Sequence, residues 1–288
     1  MIDPIIYAKR KGKGFCMGIC RLLCLCFAIF ALTGCEGNIF EGLADDSSYE
    51  ARLEEAMIAL DDQDYARAKS ILTDLDADYP NDPTILQYLS NASAGLAGID
   101  TLNLLETIEA INDDPDAGSI DMIGQMLGDA DGALTADEIT EDLSKINDAI
   151  DALEAIPEAD RTDDQTVQLG LLSINRAVLT IADIIADDQN LTGTETVTLT
   201  EEGISALYPG ATEPDFSDEL TGNDRLTTLS TDTQNIDDSI VTINTISGQD
   251  SQNDLSDNFG DFSDEIDTDG ADGISSGDIE NFINALSA

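Results

Sequence analysis

Apolar residues recur at intervals of three and four along most of this chain, and that spacing limits the fold more than any other sequence feature. The clearest series is Ile139, Leu143, Ile146, Ile150 and Leu153, which has acidic residues between its members. Side chains spaced in this way share one face of an α-helix, and that face must be buried against another element. Similar series occupy residues 102–111 and 226–246. We therefore predict an all-α fold, with a bundle of long amphipathic helices over residues 116–246.

The most apolar part of the chain, residues 164–186, is predicted to be the central buried helix, because it is apolar on most of its faces. Arg176 lies within it, so its charge requires a carboxylate partner or a route to solvent. Residues 188–200 are predicted to form a loop with a short strand in the sequence TVTLT. Residues 247–273 are rich in Asp, Ser, Asn and Gly, which predicts an acidic flexible segment, and a final helix is expected over 274–288.

The charge of the chain is strongly unbalanced, with 60 Asp and Glu against 12 Lys and Arg and a formal net charge of −48. Nucleic-acid binding needs several Lys or Arg to neutralise phosphates, so this composition excludes a nucleic-acid partner. The acidic body is expected to be repelled by anionic lipid and to attract cations or basic protein segments. A solvated surface adapted to saline surroundings is an alternative explanation of the same composition.

The chain contains no His, and this removes most catalytic schemes that operate near neutral pH. Ser-His and Cys-His nucleophiles and His-based zinc hydrolysis all require that residue. Neither common glycine-rich phosphate-binding pattern is present, and without Trp the chain has few aromatic platforms for sugars. We therefore predict that the protein is not an enzyme and requires no cofactor.

The first 35 residues have the layout of an export signal. Basic residues precede an uncharged apolar run over residues 22–32, which is too short to cross a bilayer. The run ends in Leu32, Thr33, Gly34 and Cys35, and this ending resembles the bacterial lipobox, whose Cys is lipidated after the preceding peptide is cut away. The resemblance implies a signal peptide over 1–34, a lipid on Cys35 and a tether over 35–48. The other four cysteines would be removed with the signal.

The expected location is the outer membrane. Two or more acyl chains hold a protein stably on a bilayer, even one with this acidic charge. Glu36 follows Cys35, whereas similar enterobacterial lipoproteins that stay in the inner membrane favour Asp there. The sequence leaves open whether the body faces the periplasm or the cell surface, and whether translation starts at Met1 or Met17.

Residues 49–115 show a pattern of short paired helices. Two helices are expected to break at Asp61 and Asp62 and to end at Pro80, and Asp82 with Pro83 is expected to start a third. This pattern resembles the tetratricopeptide repeat, a helix-turn-helix unit of about 34 residues. The positions that match its packing pattern are Tyr65, Ala68, Leu72, Leu75, Pro80, Leu86 and Leu89.

The match to the repeat is imperfect, because Arg52 and Glu55 stand where large apolar residues are expected. In addition, Gln63 replaces the usual Gly, Leu75 occupies a position that prefers a small residue, and Pro115 comes one residue late. A generic helical hairpin is the alternative. A lipobox followed by such repeats is similar to the helical-repeat lipoprotein of the outer-membrane β-barrel assembly machinery, which has more repeats. The resemblance implies a membrane-tethered adaptor that binds another protein or peptide, with acidic faces that would select basic segments. A calcium-binding structural surface lipoprotein without a catalytic role is the alternative function.

Two acidic loops have features of calcium sites. The candidate ligands are Asp129, Asp131 and Glu138 in GDADGALTADE, and Asp267, Asp269 and Asp278 in DTDGADGISSGD. The first loop resembles an EF-hand loop without its opening ligand, and in the second the turn glycine is displaced by one residue. Helix capping explains both ends without metal, through Thr135 with Glu138 and Ser275 with Asp278. Both interpretations stay open from the sequence.

Overall fold

The computed structural model describes residues 48–99, 133–198, 201–208, 216, 220, 224–247, 254–267 and 273–286. Helix accounts for 79% of them and strand for 4%, so the predicted all-α class, with a helical bundle, is confirmed. The predicted signal peptide, residues 35–47 of the tether and the helix expected over 102–111 lie outside the described residues. So do three of the candidate calcium ligands, namely Asp129, Asp131 and Asp269.

The helices and strands of the described residues have the following bounds. The helices are α1 Tyr49–Asp61, α2 Tyr65–Asp78, α3 Pro83–Leu96, α4 Ala136–Glu154, α5 Asp163–Asp188, α6 Glu201–Leu207, α7 Arg225–Ser247, α8 Asp254–Ile266 and α9 Ser276–Leu286. Strands β1 Ala133–Thr135 and β2 Thr196–Thr198 pair antiparallel with Leu134 opposite Val197. Strand β2 lies within the predicted TVTLT segment, whereas β1 was not predicted from the sequence.

The boundaries of the first three helices follow from local signals in the sequence. The Asp64 side chain accepts a hydrogen bond from the Arg67 backbone N–H, which caps α2. Asp82 caps α3 in the same way, and Pro83 occupies the first helical position, where no N–H is needed. The predicted helix break after Asp61 and the predicted start of α3 are therefore both confirmed.

Successive helices pack against one another along the chain. Helix α1 packs on α2, α2 on α3, α3 on α4, α4 on α5, α5 along α7, and α7 on α8. Helix α3 serves two apolar clusters, because Ile85 and Ala92 pack with α1 and α2 whereas Leu86 and Ala94 pack with the bundle. An ion pair between Lys69 of α2 and Asp148 of α4, at 2.6 Å, further ties the hairpin to the bundle.

Helix α5 is buried along most of its length, as the sequence predicted. Within the described chain it is the one helix long and apolar enough to cross a membrane, and 94% of its most apolar window is buried. The central helix of a folded bundle passes the same test, so this is weak evidence for a span. Gly170 allows α7 to approach closely, because a Cβ built there would lie 2.3 Å from the Cβ of Ser239. The close approach therefore requires glycine at this position.

The segment predicted to be flexible, residues 247–273, contains helix α8, so this expectation is corrected. Leu255, Phe259, Phe262 and Ile266 recur at intervals of four and three within a sequence otherwise dominated by Asp, Ser and Asn. Phe262 and Ile266 are fully buried in the main apolar cluster. The polar composition of the segment concealed a helical series, of which Phe262 and Ile266 pack into the bundle.

Candidate functional site

The residues that match the repeat pattern lie mainly between α1, α2 and α3. Ala68, Leu72 and Leu75 are fully buried there. Tyr65 is half-buried, and its ring lies so close to Gly95 of α3 that a Cβ built on Gly95 would be 2.3 Å from it. Leu89 packs partly buried against the same cluster, Leu86 is buried on the bundle side of α3, and Pro80 is exposed between α2 and α3.

Arg52 and Glu55, which stand at apolar positions of the repeat pattern, form ion pairs across the α1–α2 hairpin. Arg52 Nη1 lies 2.6 Å from Asp78 Oδ2, and Glu55 Oε1 lies 2.7 Å from Arg67 Nη2. The Arg52 side chain is 21% exposed, while both members of the second pair are about half exposed. Exposed pairs of this kind contribute little to stability, so they align the two helices without replacing an apolar core.

The outer face of α1 carries an exposed apolar pair between acidic residues. Met57 is 40% exposed and Ile58 is 51% exposed. Glu50, Glu54 and Asp61, which are also exposed, lie one or two turns away on the same face. We call these five residues the α1 stripe. It combines contact area for an apolar side chain with negative charge on both sides.

The described structure leaves the negative charge of the α1 stripe uncompensated. Glu50, Glu54 and Asp61 form no ion pair with any described residue. All seven basic residues after position 35 are described, and each has an intramolecular partner. Six pair with carboxylates, while Arg161 donates to the carbonyl oxygens at the C-terminal end of α4. The surface therefore attracts cations from outside the chain.

The candidate calcium ligand Glu138 belongs to a capping box at the start of α4. The backbone N–H and hydroxyl of Thr135 donate to Glu138 Oε2 at 2.9 and 2.8 Å, and the backbone N–H of Glu138 donates to Thr135 Oγ1 at 3.2 Å. The hydrogen bond from the Thr135 backbone, followed by that from its hydroxyl, holds the pKa of Glu138 below its usual value. The carboxylate is thus engaged in a structural role.

Asp278 has the same role at the start of α9. The backbone N–H and hydroxyl of Ser275 donate to Asp278 Oδ2 at 2.9 and 2.6 Å. Asp267, the other described candidate of that loop, follows α8 and donates its backbone N–H to the carbonyl oxygen of Ser263. Within the described ranges, no group of three or more metal-ligating side chains comes together. The capping explanation is therefore observed at both helices, and calcium binding stays a prediction.

The buried cation of the central helix has the carboxylate partner that the sequence required. Arg176 Nε and Nη2 donate to the same oxygen, Asp232 Oδ1 of α7, at 2.8 and 2.7 Å. Asn147 of α4 accepts a further hydrogen bond from Arg176 Nη1 at 3.3 Å. Burial raises the pKa of Asp232 to about 7, while the Arg176 guanidinium acts in the opposite direction. The pair joins α5 to α7 inside the bundle.

The lipobox residues Leu32, Thr33, Gly34 and Cys35 lie outside the described residues. Comparison of the chain with protein-family models, with curated proteins and with solved structures finds no match. Any functional conclusion therefore depends on the residues themselves.

The sequence pattern did not single out Met57 and Ile58. They lie in the uninterrupted apolar run Ala56–Leu60, in which helical spacing alone does not show which members face the core. The structure buries the small residues Ala56 and Ala59 and leaves the two larger ones outside. The signal in the sequence was the presence of acids directly before and directly after the run.

Proposed function

We propose that this protein is a lipid-anchored adaptor of the cell envelope, held on the outer membrane through Cys35 and binding another protein through its N-terminal, tetratricopeptide-like helices. The proposed location is supported by the signal-like leader and by the lipobox at its end. It is also supported by the cysteine distribution, since Cys35 would be the only thiol of the mature chain.

The observation that carries the binding role is the α1 stripe. Helical hairpins bury their large apolar residues where they can, so an adjacent Met and Ile left exposed on one helix favour contact with a partner. The hairpin that carries them is attached to the bundle by Lys69–Asp148. It also packs on α3, which accepts a hydrogen bond at 2.5 Å from Gln168 of α5 through Asn91. A partner would therefore meet a preorganised surface.

A non-catalytic role agrees with the chemistry of the site. The stripe offers carboxylates and apolar contact, with no hydroxyl or thiol nucleophile and no His to act as a base near neutral pH. Its acidic residues lie on the outer face of a helix, where water hydrates them. Such a surface is suited to recognition by charge and apolar contact.

The address is tested by labelling cells with a palmitate analogue and separating inner from outer membranes. We expect label on the wild-type chain in the outer-membrane fraction, and neither label nor membrane retention for Cys35→Ala. Cys26→Ala is a matched control, because that residue lies within the predicted signal and its substitution should change neither result. A wild-type chain with a free thiol at position 35 would contradict the proposal.

The binding role is tested by pull-down of the lipidated chain from membranes at low and at high salt, without cross-linking. We expect a defined partner that is recovered at low salt and lost at high salt, because screening weakens contacts between exposed charges. Recovery of no partner under either condition, from cells in which the chain is correctly lipidated, would remove the adaptor role.

A further inference from the structure

We propose that the α1 stripe binds a basic amphipathic helix of its partner, with apolar side chains of that helix seated on Met57 and Ile58. Lys or Arg side chains on either side of them would face Glu50, Glu54 and Asp61. This inference rests on the proposed adaptor function and specifies the surface and the chemical class of the ligand.

The apolar pair is the centre of the surface. Among the described residues, the large hydrophobic side chains that are exposed are Met57, Ile58, Tyr79 and Val241. Tyr79 packs edge-to-face on Tyr49 at 5.0 Å between ring centroids, and Val241 lies on the distant helix α7. In the described part of the chain, two such side chains are adjacent only on α1, which provides a continuous patch for an apolar anchor.

The charge around the patch selects the partner. The α1 stripe contains three carboxylates and no cation, and Arg52, the one basic residue of α1, is paired with Asp78. A second copy of the chain would bring the same acids face to face, and an anionic membrane would be repelled in the same way. Residues 100–132 of this chain carry nine acids and no Lys or Arg, so they are excluded by the same repulsion.

The order of helix packing indicates that the partner segment is helical. Helix α1 is the first member of a series in which each helix packs on the next, and its other face is covered by α2. The stripe from Glu50 to Asp61 extends about 16 Å, or three helical turns. A helix laid along it can place apolar residues on Met57 and Ile58 and basic residues one turn away on either side.

The inference is tested with a synthetic helical peptide and the purified full-length chain. The peptide has roughly 18 residues, Leu on one face at helical spacing and Lys on the flanks, and its affinity is measured by fluorescence anisotropy at low and high salt. We expect Ile58→Ala to weaken binding about fivefold, since half of that side chain is available for burial. Ile58→Asp should weaken it by at least about tenfold.

Matched controls separate the stripe from the general acidity of the chain. Val241→Asp adds the same charge at another exposed aliphatic residue and should leave the affinity unchanged. Glu54→Gln should weaken binding at low salt and reduce its salt dependence, because one of the carboxylates that attract the peptide is lost. A peptide with Glu in place of Lys should not bind. Circular dichroism of each variant verifies that the fold is retained.

Several results would overturn the inference. Tighter binding to Ile58→Asp and Val241→Asp alike would show that the peptide responds to net charge alone, because each substitution adds a negative charge. Equal weakening by the two would show that the apolar pair is not the specific contact. Concentration-dependent dimerisation abolished by Ile58→Asp would identify a second copy as the occupant, and Ile58-dependent binding to anionic vesicles would identify a lipid surface. Peptide binding to the purified chain does not depend on lipidation. Failure of the Cys35 labelling test would therefore remove the proposed location in the cell envelope without affecting this measurement.

Discussion

Replacement of Arg176 by Met removes a buried cation and leaves its carboxylate partner in place. The side chains of Arg176 and Asp232 are 7% and 0% exposed, so solvent cannot take over the lost interaction. A buried ion pair that loses one partner typically costs roughly 3–5 kcal/mol. That is a large part of the roughly 5–15 kcal/mol that stabilises a domain. We expect Arg176→Met to lower the free energy of unfolding by about 3–5 kcal/mol near pH 8, where Asp232 is ionised in the wild type.

The assay is urea unfolding followed by circular dichroism, with the double variant Arg176→Met and Asp232→Leu as the comparison. Replacing both charges by apolar groups of similar volume removes the need for a partner, so the double variant should recover most of the loss. A cost below about 1 kcal/mol for Arg176→Met, or a double variant as unstable as the single one, would refute the reasoning.

The same pair gives stability a dependence on pH with a defined sign. Burial raises the pKa of Asp232 from 3.8 to about 7, with Glu154 of α4 adding to the effect and Arg176 of α5 opposing it. The folded state therefore holds the proton more tightly, and this contribution is complete below pH 3.8 and is lost as the pH rises through 7. Relative to the double variant, the wild type should lose up to about 4 kcal/mol over that window. A constant difference would contradict the assignment.

Three further predictions concern packing, capping and metal. In urea unfolding, Gly170→Ala should destabilise the protein by about 1–3 kcal/mol, because the new Cβ would meet Ser239. Gly260→Ala, which has open space around it in α8, should stabilise the protein by up to about 1 kcal/mol. Thr135→Ala should lower the free energy of unfolding by about 1 kcal/mol, because a capping side chain is lost. The pKa of Glu138 is lowered in the folded state, so its capping contribution should be lost as the pH falls through that folded pKa. Acid titration of Thr135→Ala against the wild type measures this loss. Since Glu138 and Asp278 cap their own helices, a calcium chelator should change the melting temperature by less than about one degree; a larger decrease would support a calcium site.

The helices themselves were readable from the sequence because their signals are local. A capping carboxylate such as Asp82 bonds to a backbone N–H two or three residues away, and apolar series such as that in α4 repeat every three or four residues. Both signals operate within a single turn of helix. For the same reason, the sequence predicts the start of α3, the capping box at Thr135 and the burial of α5.

Contacts between helices were decided by the tertiary structure. The position of Arg176 in an apolar helix predicts a carboxylate partner, but the sequence offers many acids. Only the packing of α5 along α7 selects Asp232, which lies 56 residues away. Helix α8 was not predicted, because its apolar series lies in an Asp-rich segment. The tertiary structure shows its buried side through Phe262, which lies in the core.

For the α1 stripe too, some features follow from the sequence and others from the tertiary structure. The sequence determined that α1 is a helix and that acids surround its apolar run, and it predicts an exported lipoprotein. Only the packing of α2 decided that Ala56 and Ala59 are buried while Met57 and Ile58 face outward. The physical reason is that helix formation depends on neighbours along the chain, whereas the choice of buried face depends on which helix lies beside it.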